Sequence, residues 1–99
     1  MVQHNHNVIT LKLSNVYSLS LVQGKAVTYF ADNYAELALI RTDDVHNAFV
    51  PANAWAANWV GEDYCDDVIH GCDAHDVLEL LNHAKEYVYI KEQEEHENA

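Results

Sequence analysis

Basic residues are scarce in this 99-residue chain. Five Lys and Arg stand against 16 Asp and Glu, a formal net charge of −11 with histidine neutral. Holding DNA or RNA by its phosphates requires clustered Lys and Arg, so direct nucleic-acid binding is excluded. Anionic membrane surfaces are disfavoured on the same ground. Three glycines cannot build a phosphate-cradling loop or a dinucleotide fingerprint. The only serines, Ser14, Ser18 and Ser20, stand in no G-x-S-x-G context, so no catalytic residue is assigned and no cofactor is expected. Two cysteines are too few for a secreted disulfide scaffold. No apolar run approaches the ~18 residues of a membrane span. The opening residues 1–6 lack the cationic and apolar regions of a signal peptide. A cytoplasmic, non-enzymatic protein is the expectation.

What is present is enough for a core. Apolar residues make up 49% of the chain, which fits one small domain over residues 1–99 with flexible ends at 1–6 and 92–99. The first half alternates with a period of two. Ile9, Leu11 and Leu13 share one face of residues 7–13, and Tyr17, Leu19 and Leu21 share one face of 16–22. Residues 25–31 and 34–41 repeat the pattern, although Ala35, Glu36, Leu37, Ala38 and Leu39 are also good helix formers. Ser14-Asn15, Gln23-Gly24, Asp32-Asn33 and Asp43-Asp44 supply turn residues between these runs. Gaps this short force antiparallel neighbours. A four-stranded antiparallel meander is predicted, with 45–50 as a short fifth strand.

The second half changes period. Pro51 suits a first helical position, Trp55 and Trp59 lie four apart, and Gly61 offers a C-cap. A second short helix is expected over 62–70, closed by Gly71, with Tyr64, Cys65, Val68 and Ile69 inward. Asp73 with Asp76 three residues on forms a capping box for a third helix from Ala74. Its apolar stripe is Val77, Leu80, Leu81, Ala84, Tyr87 and Val88. Tyr87-Val88-Tyr89-Ile90 is β-prone, but no Gly or Pro marks a break there, so the helix continues. The fold class is therefore α+β: a four- or five-stranded antiparallel sheet packed against two or three C-terminal helices.

The acid is unevenly placed. Residues 1–49 carry a net charge of −1 and residues 50–99 a net of −10. Solubility accounts for a net charge of about −2 to −8 in a small domain, so the surplus in one half points to an interaction surface. Glu62, Asp63, Asp66, Asp67, Asp73 and Asp76 fall in a stretch without Lys or Arg, and Glu79 and Glu86 extend it. If 62–70 is helical, Glu62/Asp66 and Asp63/Asp67 are like-charge pairs four apart, rising ~6 Å per step. That spacing is comparable to the phosphates of a nucleic-acid strand. A rigid array of this kind suits a basic groove, and the partner it implies is a nucleic-acid-binding protein or complex.

In size and charge the chain resembles small acidic phage proteins that counter host restriction or CRISPR complexes. The resemblance is one of physical type and implies an inhibitor that mimics nucleic acid.

Two other classes compete. Cys65, His70, Cys72 and His75 lie within eleven residues and carry zinc-ligand chemistry, although only Cys72 and His75 have customary spacing. They define the alternative of a zinc-binding module or small metalloenzyme. A disulfide between Cys65 and Cys72 is excluded if both lie on one helix, their Cα atoms being ~10 Å apart by rise. On a strand, His4 and His6 would share one face as a two-ligand edge, but a flexible N-terminus is the expected place for them. The Trp55/Trp59 helix has little polar cover. It offers a core plug or, in a structural subunit, a homodimer or higher homo-oligomer contact.

Overall fold

The protein is described by a computed structural model over residues 6–24, 34–43 and 47–97. Strands β1 (His6–Lys12) and β2 (Tyr17–Gly24) form an antiparallel hairpin with Ile9 opposite Leu21 and Leu11 opposite Leu19. The Ser14 side chain makes the corner, accepting the Val16 and Tyr17 N–H groups at 3.3 and 3.2 Å. β2 pairs directly with β3 (Ala35–Thr42), so Leu19 meets Leu39 and Leu21 meets Leu37. β4 (Asn47–Val50) continues the meander along β3, with Val50 opposite Leu39. The strand expected over 25–31 lies outside the described residues, as do His4 and the His6 side chain. Residues 35–42 are a strand despite their helix formers. Ala35, Leu37 and Leu39 are buried in the core, and pairing on both sides overrides intrinsic propensity.

The helix expected over 62–70 is not formed. Residues 61–68 make a loop, and β5 (Ile69–Cys72) joins the sheet against the first half of β3. The local chemistry explains the loss. The Asp66 carboxylate accepts the Val68 N–H at 3.0 Å, a short-range bond that competes with helix. The Tyr64 hydroxyl donates to the Val68 carbonyl at 2.6 Å, and the Asn53 amide donates to the Glu62 carbonyl at 3.0 Å. Gly71 has φ +69°, and it marks a bulge rather than a helix end. Leu37 faces Ile69 and Ala35 faces Cys72, so β5 has one residue more than the span of β3 it pairs with. That extra residue lets both Ile69 and Cys72 reach the core, although they are three apart in a strand.

The helix expected over 51–60 is divided at Ala56, whose φ and ψ of −141° and 36° are not helical. α1 (Ala52–Trp55) buries Ala52 and Trp55, while α2 (Ala57–Val60) buries none of its residues. Pro51 precedes the first helical residue as N-cap, and Gly61 at φ +98° ends the second turn. α3 (Ala74–Glu97) is about 36 Å long. Its capping box forms: Asp73 accepts the Asp76 N–H at 2.9 Å and Asp76 accepts the Asp73 N–H at 3.1 Å. Leu80, Ala84 and Val88 lie on the core at intervals of four. The β-prone Tyr87–Ile90 run stays helical, and the helix extends through most of the expected tail. Arg41 on β3 reaches Glu95 at 2.9 Å while also donating to the Tyr17 hydroxyl at 3.0 Å. Tyr17 meets Tyr87 edge-on at 6.1 Å, which joins this end of α3 to the sheet.

The result is an α+β arrangement in which helices cover one face of an antiparallel sheet. No helix among the described residues is long and apolar enough to cross a membrane.

Candidate functional site

The eight acids singled out in the sequence occupy two elements. Glu62, Asp63, Asp66 and Asp67 lie on the 61–68 loop, Asp73 caps α3, and Asp76, Glu79 and Glu86 project from α3. The first four therefore do not stand on a helix, and the expected ~6 Å axial repeat does not apply to them.

Half of the eight carry structural bonds. Asp66 holds the Val68 N–H and reaches His70 Nε2 at 3.0 Å. Asp73 and Asp76 cap each other's backbone. Glu79 accepts the Trp59 indole N–H at 3.2 Å and contacts His75 Nε2 at 2.8 Å, so it ties α2 to α3. Glu62, Asp63, Asp67 and Glu86 have no bonded side-chain partner among the described residues; Asp67 is half-buried and the other three are exposed.

His70 is the most engaged histidine described. Its Nδ1 lies 3.0 Å from Glu36 on β3 and its Nε2 3.0 Å from Asp66 on the loop. The Glu36 contact is short but off the N–H direction, so it is an ion-pair contact more than a linear hydrogen bond. Burial alone lowers the His70 pKa, but the bonds to Asp66 and Glu36 outweigh it and the net shift is upward. The His70 bond, followed by the Val68 N–H, holds the Asp66 carboxyl below its ordinary value.

These shifts set opposite pH limits. The His70 contribution to stability is fully present below the unfolded imidazole pKa of ~6.5 and is lost as pH rises through the raised folded value. The Asp66 contribution is present above the unfolded carboxyl pKa of ~3.9 and is lost as pH falls through the lowered folded one. The pair is strongest between those limits. His70→Gln is expected to remove the wild-type decline in urea midpoint between about pH 6 and pH 8. An unchanged slope in the variant would show that other groups set it.

The Cys/His set is not brought together. Cys72 is buried in the core, whereas Cys65 is exposed and both are free thiols. His70 is held by Glu36 and Asp66, and His75, 77% exposed, pairs with Glu79. Burial pushes the Cys72 thiol up to about 12, with Asp76, Asp73 and Glu36 adding to the effect. A thiol so disfavoured as thiolate is a poor zinc ligand or nucleophile. No group of three or more His, Cys, Asp or Glu among the described residues is placed to hold a metal ion. The bulge at Gly71 is the reason, because it turns Cys72 inward while His70 meets the loop.

Trp55 and Trp59 take different places. Trp55 is 3% exposed in the core, and Trp59 is half-buried on α2. Two features escaped the sequence pattern: the Glu36–His70–Asp66 chain and the hollow between α1, α2 and α3. The first joins residues from separate elements. The second depends on the break at Ala56, which no Gly or Pro announces.

Compared with protein-family models, curated proteins and solved structures, the chain matches none of them.

Proposed function

We propose that the chain is a small non-enzymatic binding protein whose acidic half docks on a basic surface of a partner protein. The expected partner is a nucleic-acid-binding protein or complex, and the mode is inhibition by mimicry of a phosphate backbone, in the manner of anti-restriction or anti-CRISPR phage proteins. The observation carrying this reading is the set of uncommitted carboxylates. Glu62, Asp63, Asp67 and Glu86 are left over after helix capping (Asp73, Asp76), helix docking (Glu79) and the loop bonds of Asp66 have used the other four. They belong to a half with only Lys85 and Lys91 against twelve acids. Carboxylates without a structural bond retain their field for an incoming cation.

The test is a triple variant, Glu62→Gln with Asp63→Asn and Asp67→Asn. Asp66 is kept because it holds Val68 and His70. A partner is captured from lysate at low salt, and its release by salt and by double-stranded DNA is then measured. Wild-type affinity is expected to fall steeply with salt and DNA to compete. The triple variant is expected to bind at least about tenfold more weakly at ~0.1 M salt, with stability within about 0.5 kcal/mol of wild type. Unchanged affinity in that variant would refute the proposal.

A further inference from the structure

β1 is the terminal strand of the sheet, and among the described residues no strand pairs with its outer side. The Leu13 N–H donates to the Tyr17 carbonyl at 2.9 Å, which fixes the parity of the hairpin. Bonded pairs recur at every second residue of an antiparallel ladder. Ile9 and Leu11 therefore turn their backbone groups to β2, while Val8, Thr10 and Lys12 turn theirs outward. Apolar side chains are open on both faces of this strand. Ile9 and Leu11 stand opposite Leu21 and Leu19 on the core face, yet they are 50% and 40% exposed. Val8, on the other face, is 55% exposed. No proline, bulge or acid blunts the strand, and its one fixed charge is Lys12 at the end. An edge so apolar and unguarded is a template for another strand.

We infer that β1 pairs with β1 of a second copy of this chain, antiparallel about a two-fold axis at Thr10, so that two sheets become one. This register sets Ile9 opposite Leu11 of the second copy, twice by symmetry. Both are non-hydrogen-bonded pairs, in which side chains approach most closely. The outward groups of Val8 then bond those of Lys12 of the second copy, and Thr10 meets Thr10, a favourable cross-strand pair. A shift of one residue would set outward groups against inward ones, and a shift of two would set Leu11 against Asn7 or Ile9 outside the strand. Charge selects the same edge. Copies of a chain with net charge −11 repel wherever their acids meet, and β1 has none. The acidic 61–68 loop leads into β5, which pairs β3 on the side away from β2. Pairing at β1 thus keeps the two acidic loops at opposite ends of the joined sheet. The inference does not depend on the acidic half having a basic partner.

One strand pair buries less than the ~1,600 Å² of a standard stable interface, so the dimer is expected to be reversible, with a dissociation constant in the micromolar range. Sedimentation of the whole chain from about 1 to 500 µM covers that range. Salt at ~0.5 M should tighten the dimer by screening like charge, the reverse of its effect on a basic partner. Thr10→Pro removes an outward N–H that the hairpin does not use, a position where an edge strand accepts proline. It should weaken dimerisation at least about tenfold. Ile9→Lys alters an exposed side chain and should do the same, which keeps the test decisive even if proline disturbs the hairpin. In a Cys65→Ser background, Thr10→Cys should form a disulfide dimer on mild oxidation, because Cα atoms of a bonded pair lie ~5.5 Å apart. Ser20→Cys, opposite Thr10 on β2, should not. A monomer throughout the range, or a dimer indifferent to both Thr10→Pro and Ile9→Lys, overturns the inference. Equal cross-linking through Ser20→Cys also overturns it, since that marks stacking of sheet faces.

Discussion

Leu37→Ala is expected to lower the unfolding free energy by about 3–5 kcal/mol, the largest effect of any single truncation considered for this chain. Leu37 has no exposed surface and lies at the crossing of three strands, opposite Leu21 on β2 and Ile69 on β5. Truncation removes contacts to both neighbours and leaves a void that paired strands cannot close without losing their register. For a domain of this length the loss corresponds to a drop in melting temperature of roughly 15–30 °C. Leu78→Ala is the matched control. Leu78 is 63% exposed on α3, so its truncation should stay within about 0.5 kcal/mol. Thermal and urea unfolding of the two variants measure the difference. A small effect at Leu37 would mean that β5 does not close the sheet.

Leu37 also shows which parts of the fold were legible in the sequence. The alternation of Ala35, Leu37 and Leu39 predicts their common face, although the same residues are good helix formers. The strand is secured by partners on both sides, which propensity does not register. The capping box at Asp73 and Asp76 was legible because its chemistry is local: two side chains meet two nearby N–H groups. The 61–68 loop was not legible, because Glu62, Tyr64, Asp66 and Val68 act there through bonds that compete with a helix the periodicity favours. The division at Ala56 was hidden for a similar reason. An alanine-rich stretch reads as continuous helix, and the break is set by how Trp55 and Ala56 bury against the core. The acidic site was legible in composition but not in arrangement. Charge counting identifies the half that carries the acid. Only hydrogen-bond partners separate Glu62, Asp63, Asp67 and Glu86 from the acids already committed to structure.

Gly71 is where one sequence signal admits two structures, and substitution there separates them. A glycine with positive φ serves both a helix end and a strand bulge. In the bulge, φ of +69° at Gly71 accompanies the extra residue that lets Ile69 and Cys72 both face the core. An L side chain in this conformation costs about 1–2 kcal/mol, and a β-branched one more. Gly71→Val is therefore expected to destabilise the domain by roughly 2–3 kcal/mol. A D-alanine placed at 71 by chemical synthesis adopts positive φ without strain, so it should retain wild-type stability. The thiols supply a second measurement. Cys65 is exposed, while Cys72 is buried with its thiol raised to about 12, so a thiol reagent should modify wild type rapidly at Cys65 alone. If valine removes the bulge, β5 can keep Ile69 in the core only by turning Cys72 away from it. Gly71→Val should then expose Cys72 to rapid modification, and the D-alanine variant should protect it. A helix end at 71 would give the opposite pattern for Cys72, with protection unchanged by valine because no strand register depends on that residue.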